Sequence, residues 1–161
     1  MKLSFPLAVA IAAVFTLTAC GGGGDDAPAV TVSSPAALTK TDTVVGTGAE
    51  AAAGSRVQVS YTGWLYNASA ANFKGSQFDA SRAGQPFTFV VGATGTSEST
   101  IPGFSQGVQG MKVGGKRTVL IPSSLGYGAS GAGNGAIPPN SGLVFDVELV
   151  KVCGASATSA C

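Results

Sequence analysis

Apolar and polar residues alternate with a period of two in four runs of the chain, and that period predicts half-buried strands. Val57, Val59 and Tyr61 alternate with Arg56, Gln58, Ser60 and Thr62. Phe87, Phe89 and Val91 follow Pro86 and alternate with Thr88 and Val90. Arg117, Val119 and Ile121 alternate with Lys116, Thr118 and Leu120. Leu143, Phe145, Val147 and Leu149 alternate with Val144, Asp146, Glu148 and Val150, the cleanest run of the four. Shorter extended pieces are expected near 43–45 and 77–79. A single short helix is expected over 102–109, with Pro102 in its first turn, where a missing N–H leaves no bond unmade. Gly103, Gly107 and Gly110 keep that helix short. Strands on both sides of one helix predict an α+β fold, an antiparallel sheet curled over the helix.

Upstream of the strands the pattern changes. Met1 and Lys2 precede an apolar stretch over 3–18, the make-up of a secretory signal peptide. Leu17-Thr18-Ala19-Cys20 closes it and resembles a bacterial lipobox, which implies lipid on Cys20. More than one acyl chain is needed for stable anchoring, and bacterial lipoproteins carry two or three. Gly21 follows the cysteine where an aspartate would signal inner-membrane retention, so sorting to the outer membrane is expected, with periplasmic or surface exposure left open. The Gly-, Ala-, Ser- and Pro-rich residues that follow read as a tether. The expected organisation is a leader over 1–19, a tether over 20–40, a folded domain over 41–152 and a tail over 153–161. Residues 67–76 and 93–99 read as loop insertions.

Composition narrows the chemistry. The chain has 161 residues, no histidine, nine basic and eight acidic residues, and 11% charged residues. The balance gives no footprint for nucleic acid. Without histidine the usual neutral-pH proton shuttle, serine triads, Cys-His dyads and His-ligated metals are excluded together. No cofactor and no metal site are indicated. With Cys20 assigned to lipid, Cys153 and Cys161 remain. An oxidising envelope favours a disulfide between them; free thiols or an intermolecular bridge are the alternatives.

The order of motifs then resembles one family. Val57-Gln-Val-Ser-Tyr61-Thr-Gly-Trp-Leu65, Gln77-Phe78-Asp79-Ala-Ser81 and Pro86-Phe87-Thr-Phe89 are similar to successive signatures of the FKBP-type peptidyl-prolyl cis-trans isomerases. Ile101-Pro-Gly-Phe104, Gly107-Val108-Gln-Gly-Met111-Lys-Val-Gly114, Ile121-Pro, and Leu125-Gly-Tyr127-Gly128 continue the series. Ala136-Ile137-Pro138-Pro139-Asn140 and Leu143-Val-Phe145-Asp146-Val-Glu-Leu149 complete it. The resemblance implies a five-stranded antiparallel sheet wrapped around one short helix, with a pocket between them.

It also implies roles. Tyr61, Phe78, Phe87, Ile101, Phe104, Tyr127 and Phe145 would wall the pocket, with Phe104 at the floor where many members carry tryptophan. Tyr127 would donate its hydroxyl to the carbonyl preceding proline, and the Ile101 N–H would hold a second carbonyl. Asp79 would meet the Tyr61 hydroxyl or the substrate amide, and Ile137 would lie on a flap over the substrate. Tyr61, Asp79, Tyr127 and Phe145 form the expected catalytic set. The implied partners are proline-containing unfolded or partly folded polypeptides and macrolides of the FKBP-binding kind. The implied activity is prolyl isomerisation in the cell envelope; a non-catalytic module for proline segments and a surface-exposed host-interaction lipoprotein are the competing readings. Two departures from compact members, the Gly-rich stretch 129–135 and the insertion over 67–76, bear on substrate preference.

Overall fold

The computed structural model describes residues 32–154 and Cys161. The leader, Cys20 and the tether as far as residue 31 lie outside the described residues. Six strands and one helix follow in the order β1 Thr39–Val44, β2 Arg56–Tyr66, β3 Lys74–Ala80, β4 Phe87–Val90, α1 Pro102–Val108, β5 Lys116–Ile121 and β6 Leu143–Val152. They form one antiparallel sheet in the order β1-β5-β6-β2-β3, with β4 also paired to β2. The count exceeds the expected five because one position is split. β4 pairs with β2 at Arg56 to Val59 and β3 pairs with it at Thr62 to Tyr66, end to end along the same strand.

The predicted alternation is what builds the core. Val57 and Val59 on β2, Phe89 on β4, Val119 and Ile121 on β5, and Leu143, Phe145, Val147 and Leu149 on β6 are all buried on the face that meets α1. From the helix, Phe104 and Val108 enter the same cluster. The other face carries cross-strand polar pairs. Lys116 stands opposite Glu148, and Thr118 opposite Asp146. Thr118 Oγ1 donates to Asp146 Oδ1 at 2.8 Å, Lys74 Nζ donates to Asp146 Oδ2 at 2.5 Å, and Lys116 Nζ pairs with Glu148 at 3.2 Å. The ammonium of Lys74 also lies 4.5 Å from the Trp64 ring centroid, so the outward tryptophan is half covered rather than core.

Two boundaries differ from the sequence expectation, and one expected loop insertion is bonded to the sheet. The folded region starts earlier than residue 41: Thr39 and Lys40 already pair with Leu120 and Val119, and Ser33 is hydrogen-bonded to Tyr66. Lys74, Gly75 and Ser76 belong to β3, so the insertion after β2 is confined to 67–73. The 93–99 loop is fastened, because Val90 N–H donates to Glu98 O and the Glu98 carboxylate pairs with Arg56 at 2.5 Å. At the other end Cys153 and Cys161 are joined in a disulfide, their Cα atoms 4.9 Å apart.

The edge strand β1 has every residue exposed and is held by its ladder to β5 and by one ion pair. Arg117 reaches Asp42 in a two-pronged contact, Nε to Oδ1 at 2.6 Å and Nη2 to Oδ2 at 3.1 Å. The same guanidinium donates to the carbonyls of Gly107 and Gln109, which end α1. One side chain therefore ties β1, β5 and the helix exit together. The hydrogen bond from Arg117 holds the Asp42 carboxyl below its ordinary value of 3.8, against the opposing pull of burial. A carboxyl lowered in the folded state adds stability above its unfolded pKa and loses it as pH falls through the folded one. We expect Asp42→Asn to lower stability at pH 7, and the difference from the unsubstituted protein to shrink as pH is lowered below about 4. Urea unfolding of both proteins at the two pH values measures this; a gap independent of pH would remove Asp42 from the acid response.

Candidate active site

Two concavities stand out among the described residues. The larger, about 850 Å³, lies on the outer face of the sheet and is lined by hydroxyls of Thr41, Thr43, Ser60 and Thr62 and by the partnered charges already described. The smaller, about 520 Å³, opens between the sheet and the start of α1 and is lined by Tyr61, Phe78, Asp79, Phe87, Ser99, Thr100, Ile101, Phe104, Tyr127 and Phe145. A cleft with mostly aromatic walls and a few convergent polar groups is the ordinary form of a ligand site. The outer concavity is larger, but only two aromatic rings, Tyr61 and Phe73, line it, and Lys74, Lys116 and Arg117 in its lining are each paired with a carboxylate. We therefore place the site in the smaller one.

Its floor is Phe104, 3% exposed. Pro102 and the extended backbone of Ile101 start the helix abruptly, and this brings Phe104 to the helix face that meets the sheet. Its ring meets Phe145 edge-on at 4.9 Å between centroids, Tyr61 at 5.6 Å and Phe87 at 6.4 Å. Edge-to-face pairs of this kind are favoured by the ring quadrupoles and add about 0.5–1.5 kcal/mol each beyond burial. Behind the floor, the buried Ser105 hydroxyl accepts the Gly92 N–H at 2.7 Å and ties the helix to the turn after β4.

The wall formed by β3 contains an irregularity that strict alternation would not allow. Gly63 pairs with Asp79, but the next residue, Trp64, pairs with Gln77, so Phe78 is an inserted residue, a β-bulge. Phe78 and Asp79 are neighbours in sequence, and the bulge lets both line the cavity. Gly63 makes room for this. A Cβ at that position would lie 2.8 Å from both Phe78 Cζ and Phe145 Cε1, inside van der Waals contact. Gly63 is flanked in the sheet by Asp79 on one side and Phe145 on the other.

The polar groups are few. The Tyr61 hydroxyl donates to Asp79 Oδ2 at 2.6 Å, and the Ala80 N–H donates to Asp79 Oδ1 at 2.8 Å. Burial, then the bond to Asp79, pushes the Tyr61 phenol well above its ordinary value. Burial, then the nearby Asp79 charge, also raises the Tyr127 phenol. Both phenols accordingly keep their protons at neutral pH. Tyr127 stands at the start of a short 3-10 turn, Gly128–Ser130, and is 38% exposed at the rim.

Tyr61, Phe78, Asp79, Phe87, Ile101, Phe104, Tyr127 and Phe145 are thus brought to one cavity. Ile137 is not among its walls. It is 5% exposed, its backbone pairs with Ala132 in both directions, and it belongs to the same buried cluster as Phe104 and Phe145. Phe89, stacked behind Phe87 with centroids 5.6 Å apart, is fully buried core. Three contributors were not singled out from sequence. Ser99 and Thr100 line the cavity from the end of the 93–99 loop. Ser81 accepts the Tyr61 backbone N–H on its hydroxyl at 2.9 Å and holds that strand residue in place. Nothing in the pattern of small polar residues marked them.

The model of the FKBP-type peptidyl-prolyl cis-trans isomerases matches residues 48–150. An FK506-binding protein of Neisseria meningitidis serogroup B is 47% identical over 108 residues, 66% of this chain and 88% of the relative. One from Streptomyces anulatus is 44% identical over 119 residues, 73% of this chain and 88% of the relative. Among solved structures, a peptidyl-prolyl cis-trans isomerase from Pseudomonas syringae superposes with a TM-score of 0.57 at 36% identity, covering 71% of this chain and 74% of that one. FkpA from Escherichia coli gives 0.60 at 35% identity, covering 77% of this chain and 52% of that one. The chain belongs to the FKBP-type peptidyl-prolyl cis-trans isomerases.

Proposed function

We propose that the 520 Å³ aromatic cavity is where the X–Pro bond is isomerised, with Phe104 beneath the prolyl ring. The carrying observation is that the buried ring of Phe104 and the phenols of Tyr61 and Tyr127 line the same space. Rotation about the amide meets a barrier of about 18–20 kcal/mol because resonance separates charge between oxygen and nitrogen. No group on the protein needs to form a bond. Binding the twisted amide more tightly than the planar one is sufficient. An apolar cavity disfavours the charge-separated planar form, so the chain needs no histidine. An acceleration of about 10⁵ requires about 7 kcal/mol of such preference.

The polar groups then divide their work. Tyr127 donates its hydroxyl to the carbonyl preceding proline, and the Ile101 N–H holds a second substrate carbonyl. Asp79 accepts from Tyr61 and fixes that ring against Phe104 and Phe145. The substrates are proline-containing segments of unfolded or partly folded polypeptides. The relatives' name, FK506-binding protein, supports macrolide binding in the same cavity.

The purified protein is expected to accelerate isomerisation of a short Xaa-Pro peptide and to lose that acceleration when FK506 is added. Asp79→Ala should lower kcat/KM at least about tenfold, the weight of one charge-assisted hydrogen bond, with little change in stability. An Asp79→Ala protein of full rate would remove that carboxylate from the mechanism. A folded wild-type protein without acceleration would favour the binding-module reading instead.

Gly63→Ala tests the bulge. The added methyl overpacks Phe78 and Phe145, which should cost about 1–3 kcal/mol in a denaturant titration and lower kcat/KM. Adding Phe78→Leu, which removes one of the two opposing ring edges, should return part of the stability. If Gly63→Ala is neutral in both measurements, the close approach does not shape the site.

We further propose that the leader and a lipid on Cys20 hold the domain at the cell envelope. The support is the apolar run closed by Leu17-Thr18-Ala19-Cys20. Expressed in a bacterium, the protein should partition into the detergent phase of a Triton X-114 extract, and Cys20→Ala should move it to the aqueous phase. Detergent partitioning that survives Cys20→Ala would exclude the lipid anchor.

A further inference from the structure

The segment just ahead of β1 lies outside the residues 48–150 that the family model matches, yet it makes specific contacts. The Ser33 carbonyl accepts the Gly142 N–H at 2.9 Å, and the Ser33 hydroxyl donates to the Tyr66 carbonyl at 3.0 Å. The Tyr66 N–H in turn donates to the Gly142 carbonyl at 2.8 Å. Ser33 therefore closes the end of the β2–β6 ladder, one step beyond the Leu65–Leu143 pair. One residue on, the Ser34 hydroxyl accepts the Ser123 N–H at 3.0 Å. The fit against Gly142 is close: a Cβ there would lie 2.5 Å from Pro35 Cδ and 2.7 Å from Ser34 Cα.

Ser123 and Gly142 are the two ends of a single excursion. It leaves β5 at Pro122 and returns to β6 at Leu143, and Tyr127 lies within it. Its regular structure is limited to three short 3-10 turns. Internally it is closed by the Ala132–Ile137 bridge and by the Asn140 N–H to Gly128 carbonyl bond at 2.8 Å. Such a loop holds a rim side chain in place only if its ends are fixed. Here both ends, already held beside the Ile121–Leu143 ladder pair, are bonded in addition by the same two consecutive serines.

We infer that Ser33 and Ser34 are positioning residues, a clasp across the two ends of the 122–142 loop that sets the place of Tyr127 at the cavity rim. This rests on the assignment of Tyr127 to the substrate made above. The clasp acts through Tyr127, so its removal should matter only while the tyrosine hydroxyl is there to be positioned.

The test uses the full-length protein and a protease-free Xaa-Pro assay. Ser33→Ala with Ser34→Ala should lower kcat/KM about three- to tenfold, the weight of one or two hydrogen bonds. In a Tyr127→Phe background the same pair should cost less than about twofold, because residues acting as one unit are not additive. Ser34→Thr keeps an acceptor hydroxyl and should retain the wild-type rate. By hydrogen exchange, the Ser123 amide, which loses its Ser34 hydroxyl acceptor, should lose protection in the double alanine variant, while Val59 and Val147 keep theirs. An unchanged kcat/KM, or the same loss in both backgrounds, overturns the clasp alone. A wild-type protein that does not accelerate isomerisation overturns the reading of the cavity, and this inference with it.

Discussion

The seat of Phe104 against the sheet is the constraint on which the rest depends. One ring, 3% exposed, meets Phe145 from β6, Tyr61 from β2, and Phe87 and Phe89 from β4. It is at once the main anchor of a helix of seven residues and the floor of the cavity. So short a helix has little stability of its own and takes it from the face it buries. The fold and the site are thus the same packing problem. A smaller side chain at this position would loosen the helix seat and deepen the cavity together.

Around that floor, backbone irregularity directs the polar groups. A regular β3 would send Phe78 and Asp79 to opposite faces. The bulge at Phe78 brings both to the cavity, and the absence of a side chain at Gly63 leaves the space that Phe78 and Phe145 share. Asp79 is then close enough for the 2.6 Å bond to Tyr61, and its second oxygen is taken by the Ala80 N–H. Each Asp79 oxygen thus accepts one hydrogen bond, and the bond from Tyr61 ties that ring to β3.

The inward face of the sheet was legible in sequence because burial on one side imposes a period of two, and Val57, Val59, Leu143, Phe145, Val147 and Leu149 obey it. The site was legible only through the resemblance. Periodicity places Phe145 and Tyr61 inward, but it cannot bring Phe78 and Asp79 to one side, since a bulge breaks the rule that periodicity uses. The strand count differed because β3 and β4 share one place beside β2, which depends on the path of the chain between them. Ile137 was expected on a flap over the cavity; it is buried in the cluster that also contains Phe104 and Phe145. Ser33 to Pro35 read as tether because their composition is that of a linker. Their contacts are through backbone carbonyls and small hydroxyls, which leave no hydrophobic signature.

That last point bears on how the enzyme is built. The tether expected over 20–40 would be a passive spacer if it ended before the domain. Instead its final residues join the ladder end at Tyr66 and Gly142 and hold the loop that carries Tyr127. The same few residues therefore serve as the end of the connection and as part of the scaffold of the site. Hydrogen bonds of about 1 kcal/mol each are weak enough to open locally without unfolding the sheet. A load on the segment upstream of Ser33 would be felt first at these bonds, and so at the rim of the cavity before its floor. The aromatic floor is thus fixed by core packing, while the loop that carries Tyr127 is bonded at its ends by a segment from outside residues 48–150.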